Sequence, residues 1–187
     1  MAQNHKTRYM QDNNYGLKYR YTFLTVCTSI FIVPFLFNLS SCGMEEQDSL
    51  NQTQVASVQG SVSILAANIA HDISQEGPNA WLRYFDKSPD FFMASGGKLV
   101  FPDYDSAAVF VHNFAKGVRS IQLTWNGLNV DPLTINFAII RASFHETITD
   151  TSGGQTPVDG YFTSLAVRSP EGWRLRNLHW SYPDQRH

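Results

Sequence analysis

Two histidines near the ends of strand-like stretches are the side chains in this sequence best suited to acid–base chemistry. His179 lies in the C-terminal stretch GWRLRNLHWS, and His145 lies in the longer stretch LTINFAIIRASFHETIT. Histidine titrates near neutral pH, so it can accept or donate a proton during a reaction. Asp90, beside a predicted hairpin, is a carboxylate placed to act with a pocket histidine. We therefore take His179 and Asp90 as the candidate catalytic residues.

Strand alternation gives His179 its predicted partners. A strand points successive side chains to opposite faces, so Trp173, Leu175, Asn177, His179 and Ser181 share one face. This face begins apolar and turns polar, as when a strand runs from a packed core into the mouth of a cavity. The pattern predicts that Asn177 and Ser181 line a cavity together with His179.

The second long strand offers two further polar candidates, Arg141 and His145, which lie in phase with each other. If their face looks inward, they extend the polar rim around His179. Apolar residues occupy both faces early in the strand, so the sequence leaves open which face looks inward. The opposite face carries Ala138, Ile140, Phe144 and Glu146.

Trp125 and Tyr84 are further candidates for the cavity lining. Like Asp90 and His145, they have simpler alternative roles. Trp125 would stack on a flat ligand, but a large aromatic residue on a sheet is more often core. Tyr84 would place a phenol in the cavity, or it is an ordinary exposed helical residue. Asp90 follows Pro89 and suits a turn. His145 at the end of a strand needs no role beyond contact with a neighbour.

The residue spacing supports neither a metal-binding motif nor a phosphate-binding loop. In a strand, His145 and Glu146 point to opposite faces, and FHETITD lacks the second histidine of a helical zinc motif. The SGGQ segment lies between strands rather than before a helix, so it is not a phosphate loop. We predict no cofactor and no metal.

The elements that must position these residues follow a simple order. Helical spacing of apolar residues predicts helices over 61–77, 78–86 and 105–118, with Asp105 or Ser106 capping the third. Gly96-Gly97 predicts a hairpin over 90–101. Four strands are predicted over 120–130, 133–149, 161–169 and 172–181, with a loop over 150–160. This order predicts an α+β domain.

The same order, closing in EGWRLRNLHWS, resembles the SnoaL-like branch of the nuclear-transport-factor-two-like superfamily. The resemblance covers about residues 61–182, is strongest in the last strand, and has weaker echoes at Trp81 and Trp125. It implies a cone-shaped barrel in which three N-terminal helices pack on a strongly curved, mostly antiparallel sheet. The open end of such a cone is a ligand pocket.

The resemblance implies three possible functions. The leading one is binding of a small, largely apolar ligand. The second is an isomerase, cyclase or hydratase that uses a pocket histidine and a carboxylate. The third is a homodimeric interaction module joined through the outer sheet face, where strict alternation would place Leu178 and Trp180 between Arg174 and Arg176.

Residues 1–41 have the parts of a secretory signal peptide. Lys18 and Arg20 precede the apolar run YTFLTVCTSIFIVPFLFNL, with Met10 as an alternative start. The tripeptide LSS before Cys42 resembles the lipobox of bacterial lipoproteins. This implies cleavage before Cys42 and its acylation, with chains such as palmitate, in the cell envelope outside the cytoplasm. The alternative is a single transmembrane anchor.

The predicted signal peptide, which we call the leader, determines the remaining domain boundaries. We predict a polar tether over 42–60, the SnoaL-like domain over 61–183 and a tail over 184–187. Removal of residues 1–41 takes away four basic residues and one acidic residue, so the net charge changes from −2 to −5. An acidic domain without a lysine or arginine cluster is a poor candidate for nucleic-acid binding.

Overall fold

The computed structural model describes residues 49–182. The predicted leader, Cys42 and the residues after Tyr182 lie outside the described residues. Within residues 49–182, no helix combines the length and the apolar character needed to cross a membrane.

Helix α1 spans Gln52–Glu76. Asn51 caps its N-terminus, because the Asn51 side chain accepts from the backbone N–H of Gln54 and the Gln54 side chain accepts from that of Asn51. The prediction that residues 52–60 belong to a polar tether is therefore wrong, and the helix begins within that range. Its buried stripe comprises Val58, Val62, Leu65, Ala66, Ile69 and Ile73.

The second and third predicted helices are both present. A short 3-10 helix spans Pro78–Arg83, and helix α2 spans Tyr104–Ala115. The cap of α2 is Asp103, whose carboxylate accepts from the backbone N–H of Ser106 at 2.8 Å, rather than Asp105 or Ser106 as predicted. Asp103 prevails because it is the last extended residue before the helix.

The six strands form one sheet. Strands β1 (Phe92–Ser95) and β2 (Lys98–Phe101) make the predicted hairpin. They are followed by β3 (Val118–Pro132), β4 (Phe137–Asp150), β5 (Gln155–Ser169) and β6 (Gly172–Ser181). The order across the sheet is β2-β1-β6-β5-β4-β3, and only the β1–β6 pair is parallel. The α+β class is confirmed, and the curved sheet is open between β2 and β3 rather than closed.

Strand β5 begins at Gln155, inside the segment predicted to be a loop. Its pairing with β4 continues to Gln155 and Thr149, because Asp150 accepts from backbone N–H groups of the tight turn that follows. The loop is therefore reduced to a short turn.

Helix α1 covers one face of the sheet, which we call the inner face. Two tryptophans fix it there: Trp125 Nε1 donates to the carbonyl oxygen of Ala66, and Trp173 Nε1 donates to Ser61 Oγ, each at 2.9 Å. Both indole groups thus satisfy their single donor while their rings remain in the core.

Two β-bulges change which side chains face inward. In β3, Gly127 and Leu128 together oppose one residue of β4, and Gly127 has a φ of 63° that glycine adopts without strain. In β6, Leu175 pairs with Ala166 while Leu178 pairs with Ser164, so two residues, Arg176 and Asn177, oppose one.

The β6 bulge reverses the predicted alternation. Trp173 and Leu175 are buried before it, and Leu178 and Trp180 are buried after it. The prediction that Asn177, His179 and Ser181 continue the face of Leu175 is therefore wrong, because one extra residue in the strand moves every later side chain to the other face.

Candidate functional site

An apolar cavity of about 270 Å³ lies between the inner face of the sheet, the 3-10 helix, the β1–β2 hairpin and α2. Its lining residues are mostly aromatic or aliphatic. They are Pro78, Trp81, Phe85, Met93, Phe101, Phe110, Val111, Phe114, Ile121, Glu146, Ile148, Trp180 and Tyr182. A cavity of this size is slightly below the ~300–1,000 Å³ of sites for drug-sized ligands, so it has room only for a small molecule.

Trp180 lies at the centre of the aromatic packing beside the cavity. Its ring is 4.5 Å from that of Phe144, 4.8 Å from that of Phe162 and 5.5 Å from that of Trp81, measured between centroids. The near-perpendicular contacts with Phe144 and Trp81 are a favoured aromatic geometry. The β6 bulge brings Trp180 to this position, so the cavity wall is built by a backbone irregularity.

Glu146 is the one charged side chain among the lining residues. It lies on β4 in the inward row that begins with Ala138, Ile140, Ala142 and Phe144, between Leu123 on β3 and Val158 on β5. Burial raises the pKa of the Glu146 carboxyl to about 7, and burial is the sole cause of that shift. Its carboxyl therefore exists in both protonation states near neutral pH.

Tyr182 is the second lining residue with a polar group, and it lies at the exposed side of the cavity, since it is 47% exposed. Burial raises the pKa of Tyr182, the negative charge of Glu146 raises it further, and a hydrogen bond with Ser95 acts in the opposite direction. The phenol therefore stays protonated near neutral pH and is able to donate a hydrogen bond. Its ring makes an edge contact with Phe144 at 6.0 Å between centroids.

The combination permits general acid–base chemistry. An ionised Glu146 can accept a proton from a bound molecule, and a protonated Glu146 can return one. A neutral Tyr182 hydroxyl can stabilise negative charge on an oxygen atom of that molecule. Within residues 49–182, no group of three or more histidine, cysteine, aspartate or glutamate side chains is arranged to hold a metal ion.

The structure moves the predicted catalytic residues away from this cavity. His179 is exposed on the outer face, beside Ala94 and Thr163 on the neighbouring strands, because of the β6 bulge. The prediction that His179 lines a cavity is therefore wrong. Asp90 has an exposed carboxylate 3.6 Å from Arg176 Nη1, and the cavity lining does not include it.

Asn177 and Ser181 also leave the predicted site. Asn177 Nδ2 donates to the backbone carbonyl of Asp90 at 3.2 Å, and Ser181 Oγ donates to that of Tyr161 at 3.2 Å. Asn177 is thus a bulge residue whose side chain bonds to the segment before the hairpin. Neither side chain lines the cavity.

The polar residues of β4 lie on the outer face. Arg141 Nε donates to Asn129 Oδ1 at 3.2 Å, and His145 Nδ1 lies 2.8 Å from Asp159 Oδ1. The alternative left open by the sequence is therefore settled in favour of the row that ends in Glu146. Arg141 and His145 contact neighbouring strands and do not reach the cavity.

Trp125 and Tyr84 have structural roles. Trp125 packs on Phe162 at 5.2 Å between centroids, and its indole N–H is used by α1, so it belongs to the core. Tyr84 donates its hydroxyl hydrogen to Asp72 of α1, which tethers the end of the 3-10 helix. Trp125 therefore has its simpler role as a core residue, whereas Tyr84 is neither in the cavity lining nor exposed, because it is buried with its hydroxyl bonded to α1.

The predicted dimer residues are also displaced. Leu178 and Trp180 are 1% and 6% exposed and point inward. The apolar side chains that are exposed on the strands include Phe137, Ile139 and Tyr161. The predicted placement of Leu178 and Trp180 on the outer face is therefore wrong, for the same reason as the placement of His179.

A second cleft, of about 480 Å³, is lined by charged residues near the 3-10 helix and the β5–β6 turn. Its arginines already have partners: Arg83 pairs with Glu76 and Asp72, and Arg174 pairs with Glu171 at 3.1 Å. These pairs make the cleft a less specific candidate than the cavity around Glu146.

Glu146 and Tyr182 are the candidate site residues that sequence reasoning missed. The signal for Glu146 was a single acidic residue between Phe144 and Ile148 in a largely apolar row of alternate positions in β4. Ile135 and Ile139 on the other row obscured that signal, since they made both faces of the strand equally apolar.

The chain has the nuclear-transport-factor-two-like fold. No protein-family model and no curated protein matches the sequence. A nuclear transport factor 2 (NTF2-like) superfamily protein from Salmonella enterica serovar Typhimurium superimposes with a TM-score of 0.59 at 17% identity, over 71% of this chain and 95% of that one.

Two further solved structures have the same fold. A candidate scytalone dehydratase from Novosphingobium aromaticivorans gives a TM-score of 0.56 at 10% identity, over 65% of this chain and 80% of that one. A type 2 hexachlorocyclohexane dehydrochlorinase (LinA) gives 0.53 at 8% identity, over 66% and 84%. Identities this low show the fold alone.

Proposed function

We propose that this domain binds a small, largely apolar molecule and transfers a proton to or from it, with Glu146 as the acid–base group. The observation that carries the proposal is a lone carboxyl in an apolar, aromatic cavity, whose pKa burial raises to about 7. A general base works best when its pKa lies near the working pH. The polar residues on the outer face do not line the cavity and offer no comparable group.

Tyr182 supplies the second element of the proposed chemistry. Removal of a proton from carbon leaves negative charge on the rest of the molecule, commonly on an oxygen atom. A neutral hydroxyl that is fixed beside an apolar cavity can donate a hydrogen bond to that charge. This pairing supports an isomerase or an elimination enzyme rather than a hydrolase that needs a nucleophile.

The names of two structural neighbours, a dehydratase and a dehydrochlorinase, denote eliminations, which also begin with or require removal of a proton. This is a likeness of fold, so it supports only the presence of a pocket able to hold a substrate. Membership of the SnoaL-like branch is part of our proposal and is supported by the GWRLRNLHWS segment.

Ligand binding without catalysis is the second candidate. Eleven of the thirteen lining residues are apolar or aromatic and lack a titratable group, as in many binding sites. The two candidates differ in what Glu146 does, so a variant without its carboxylate separates them.

The elimination of 5-nitrobenzisoxazole tests the proposed base without knowledge of the natural substrate. A carboxylate removes the C3 proton, the N–O bond breaks, and a nitrile and a coloured phenolate form. With the full chain in a non-ionic detergent, we expect a rate that rises with pH around 7 and that Glu146→Gln lowers by about 10²-fold or more. The control Glu171→Gln, an exposed glutamate on the β5–β6 turn, should retain the rate.

Equal elimination rates in the wild-type protein and Glu146→Gln would contradict proton transfer. If the probe also binds equally to both proteins, the binding role would replace the catalytic one.

The membrane anchor is a separate part of the proposal. It is supported by the basic, apolar and small-residue sequence that ends in LSS before Cys42. Such an anchor would hold the domain at the bacterial cell envelope, outside the cytoplasm.

A further inference from the structure

The walls around Glu146 are unusually rich in aromatic rings. Among the lining residues, seven are aromatic: Trp81, Phe85, Phe101, Phe110, Phe114, Trp180 and Tyr182. Among residues 49–182, no lysine, arginine or histidine lines the cavity beside Glu146.

Aromatic faces and a carboxylate attract the same kind of ligand. The face of an aromatic ring carries partial negative charge and attracts a cation by about 0.5–2 kcal/mol, more for tryptophan and in desolvated sites. A buried carboxylate without a partner is costly to ionise, and a cation within a few ångströms offsets that cost. The cavity therefore supplies two independent attractions for positive charge.

We propose that this cavity binds small organic ammonium ions, with the ammonium group against Glu146 and the apolar substituents against the surrounding rings. The inference uses the cavity described above but does not depend on proton transfer. It names a ligand class that the fold does not specify. The volume of about 270 Å³ limits that class to small amines.

Among the described residues, Glu146 is the charged group that would control the binding of an ammonium ion. Tyr182 shares the cavity and stays neutral. The other titratable groups on the adjoining strands, hairpin and helices lie outside the lining. They are Arg83 on the 3-10 helix, Lys98 on β2, Tyr104, Asp105 and His112 on α2, Arg119 and Asp131 on β3, Arg141, His145 and Asp150 on β4, Asp159, Tyr161 and Arg168 on β5, and Arg174, Arg176 and His179 on β6.

Choline and 3,3-dimethylbutan-1-ol provide the test, since they differ by exchange of the charged nitrogen for a neutral carbon. Binding is measured by calorimetry at pH 6 and pH 8 on the full chain in a non-ionic detergent. At pH 8 choline should bind at least about tenfold more tightly than the neutral alcohol. Its apparent Kd should weaken about tenfold at pH 6, where roughly a tenth of Glu146 is ionised.

The variants localise the effect. Glu146→Gln should lose both the preference for choline and its pH dependence, whereas Glu171→Gln should keep both. Equal affinity for the two probes at pH 8, no choline binding up to about 10 mM, or an unchanged preference in Glu146→Gln would overturn the inference. If Glu146→Gln does not fold, the comparison of the two probes in the wild-type protein still decides it.

The two proposals can fail separately. A preference for choline without elimination of 5-nitrobenzisoxazole would retain the ammonium site and remove the proton-transfer function. Elimination without a preference for choline would do the reverse.

Discussion

Glu146 differs from other acidic residues of the described chain in what surrounds it. Hydrogen bonds lower the pKa of three other carboxyl groups. The chief bond comes from Tyr84 for Asp72, from Arg83 for Glu76, and from the backbone of Ser106 for Asp103. Glu146 has apolar neighbours instead, and its pKa moves upward. A carboxyl held in this way lowers stability, which is the usual signature of a group retained for function.

This difference predicts a dependence of stability on pH. The folded-state pKa of Glu146 is about 7, above the ordinary 4.5, so its contribution is favourable below about pH 4.5 and is lost as pH rises through 7. The loss amounts to roughly 3 kcal/mol. Urea unfolding should therefore show Glu146→Gln gaining stability relative to the wild-type protein between pH 5 and pH 8.

The control for this measurement is Glu171→Gln, whose glutamate is on the surface. Its stability relative to the wild-type protein should change little over the same range. A constant difference between Glu146→Gln and the wild-type protein at all pH values would show that Glu146 has an ordinary pKa.

The β6 bulge is the element that decides which residues form the site. The sequence predicted the bounds of β6 correctly, as Gly172–Ser181, but not its change of phase. The buried residues Trp173 and Leu175 are two positions apart, and so are Leu178 and Trp180. Leu175 and Leu178, however, are three positions apart. That change of spacing was visible in the sequence, but pairing with Ser164 and Ala166 of β5 determines the bulge, and this is a tertiary contact.

Local signals were more informative for the helices and the hairpin. Gly96-Gly97 predicted the β1–β2 turn, and both glycines have positive φ values. The start of α1 was missed although Asn51 and Gln54 form a capping box, because residues 52–60 are polar and lack a clear apolar stripe. Capping chemistry was thus the better guide to that boundary than hydrophobic periodicity.

The inward position of Trp180 and the outward position of His179 can be tested directly. Trp180→Ala removes a buried side chain from the aromatic cluster and should lower the free energy of unfolding by about 3–5 kcal/mol. His179→Ala, at the adjacent exposed position, should change it by no more than about 0.5 kcal/mol. Chemical unfolding measures both free energies. A larger loss for His179→Ala than for Trp180→Ala would indicate that His179 points inward, as strict alternation predicted.

At the scale of the whole molecule, the fold and the site were predictable to different degrees. The order of helices and strands is local information, so the α+β domain and its nuclear-transport-factor-two-like fold followed from pattern and resemblance. The site required knowledge of which sheet face α1 covers. Apolar residues on both faces of β4, including the exposed Phe137 and Ile139, concealed that choice.

The proposed anchor also belongs to this scale. If Cys42 is acylated, Cys42→Ala should leave an uncleaved precursor and should no longer incorporate a fatty-acid analogue. Mass measurement of the chain and detection of the analogue check these two outcomes. Unchanged labelling of Cys42→Ala would remove the lipoprotein interpretation, without bearing on the cavity.

The titration of Glu146 tests the central claim most directly. Carbon NMR of a protein labelled at the glutamate side-chain carboxyl, with the Glu146 signal assigned by its absence in Glu146→Gln, reports the pKa without any substrate. The account predicts an inflection near pH 7 for that signal. An inflection near the ordinary value of 4.5 would contradict it, because Glu146 would then be ionised and solvated rather than held as an acid–base group in an apolar cavity.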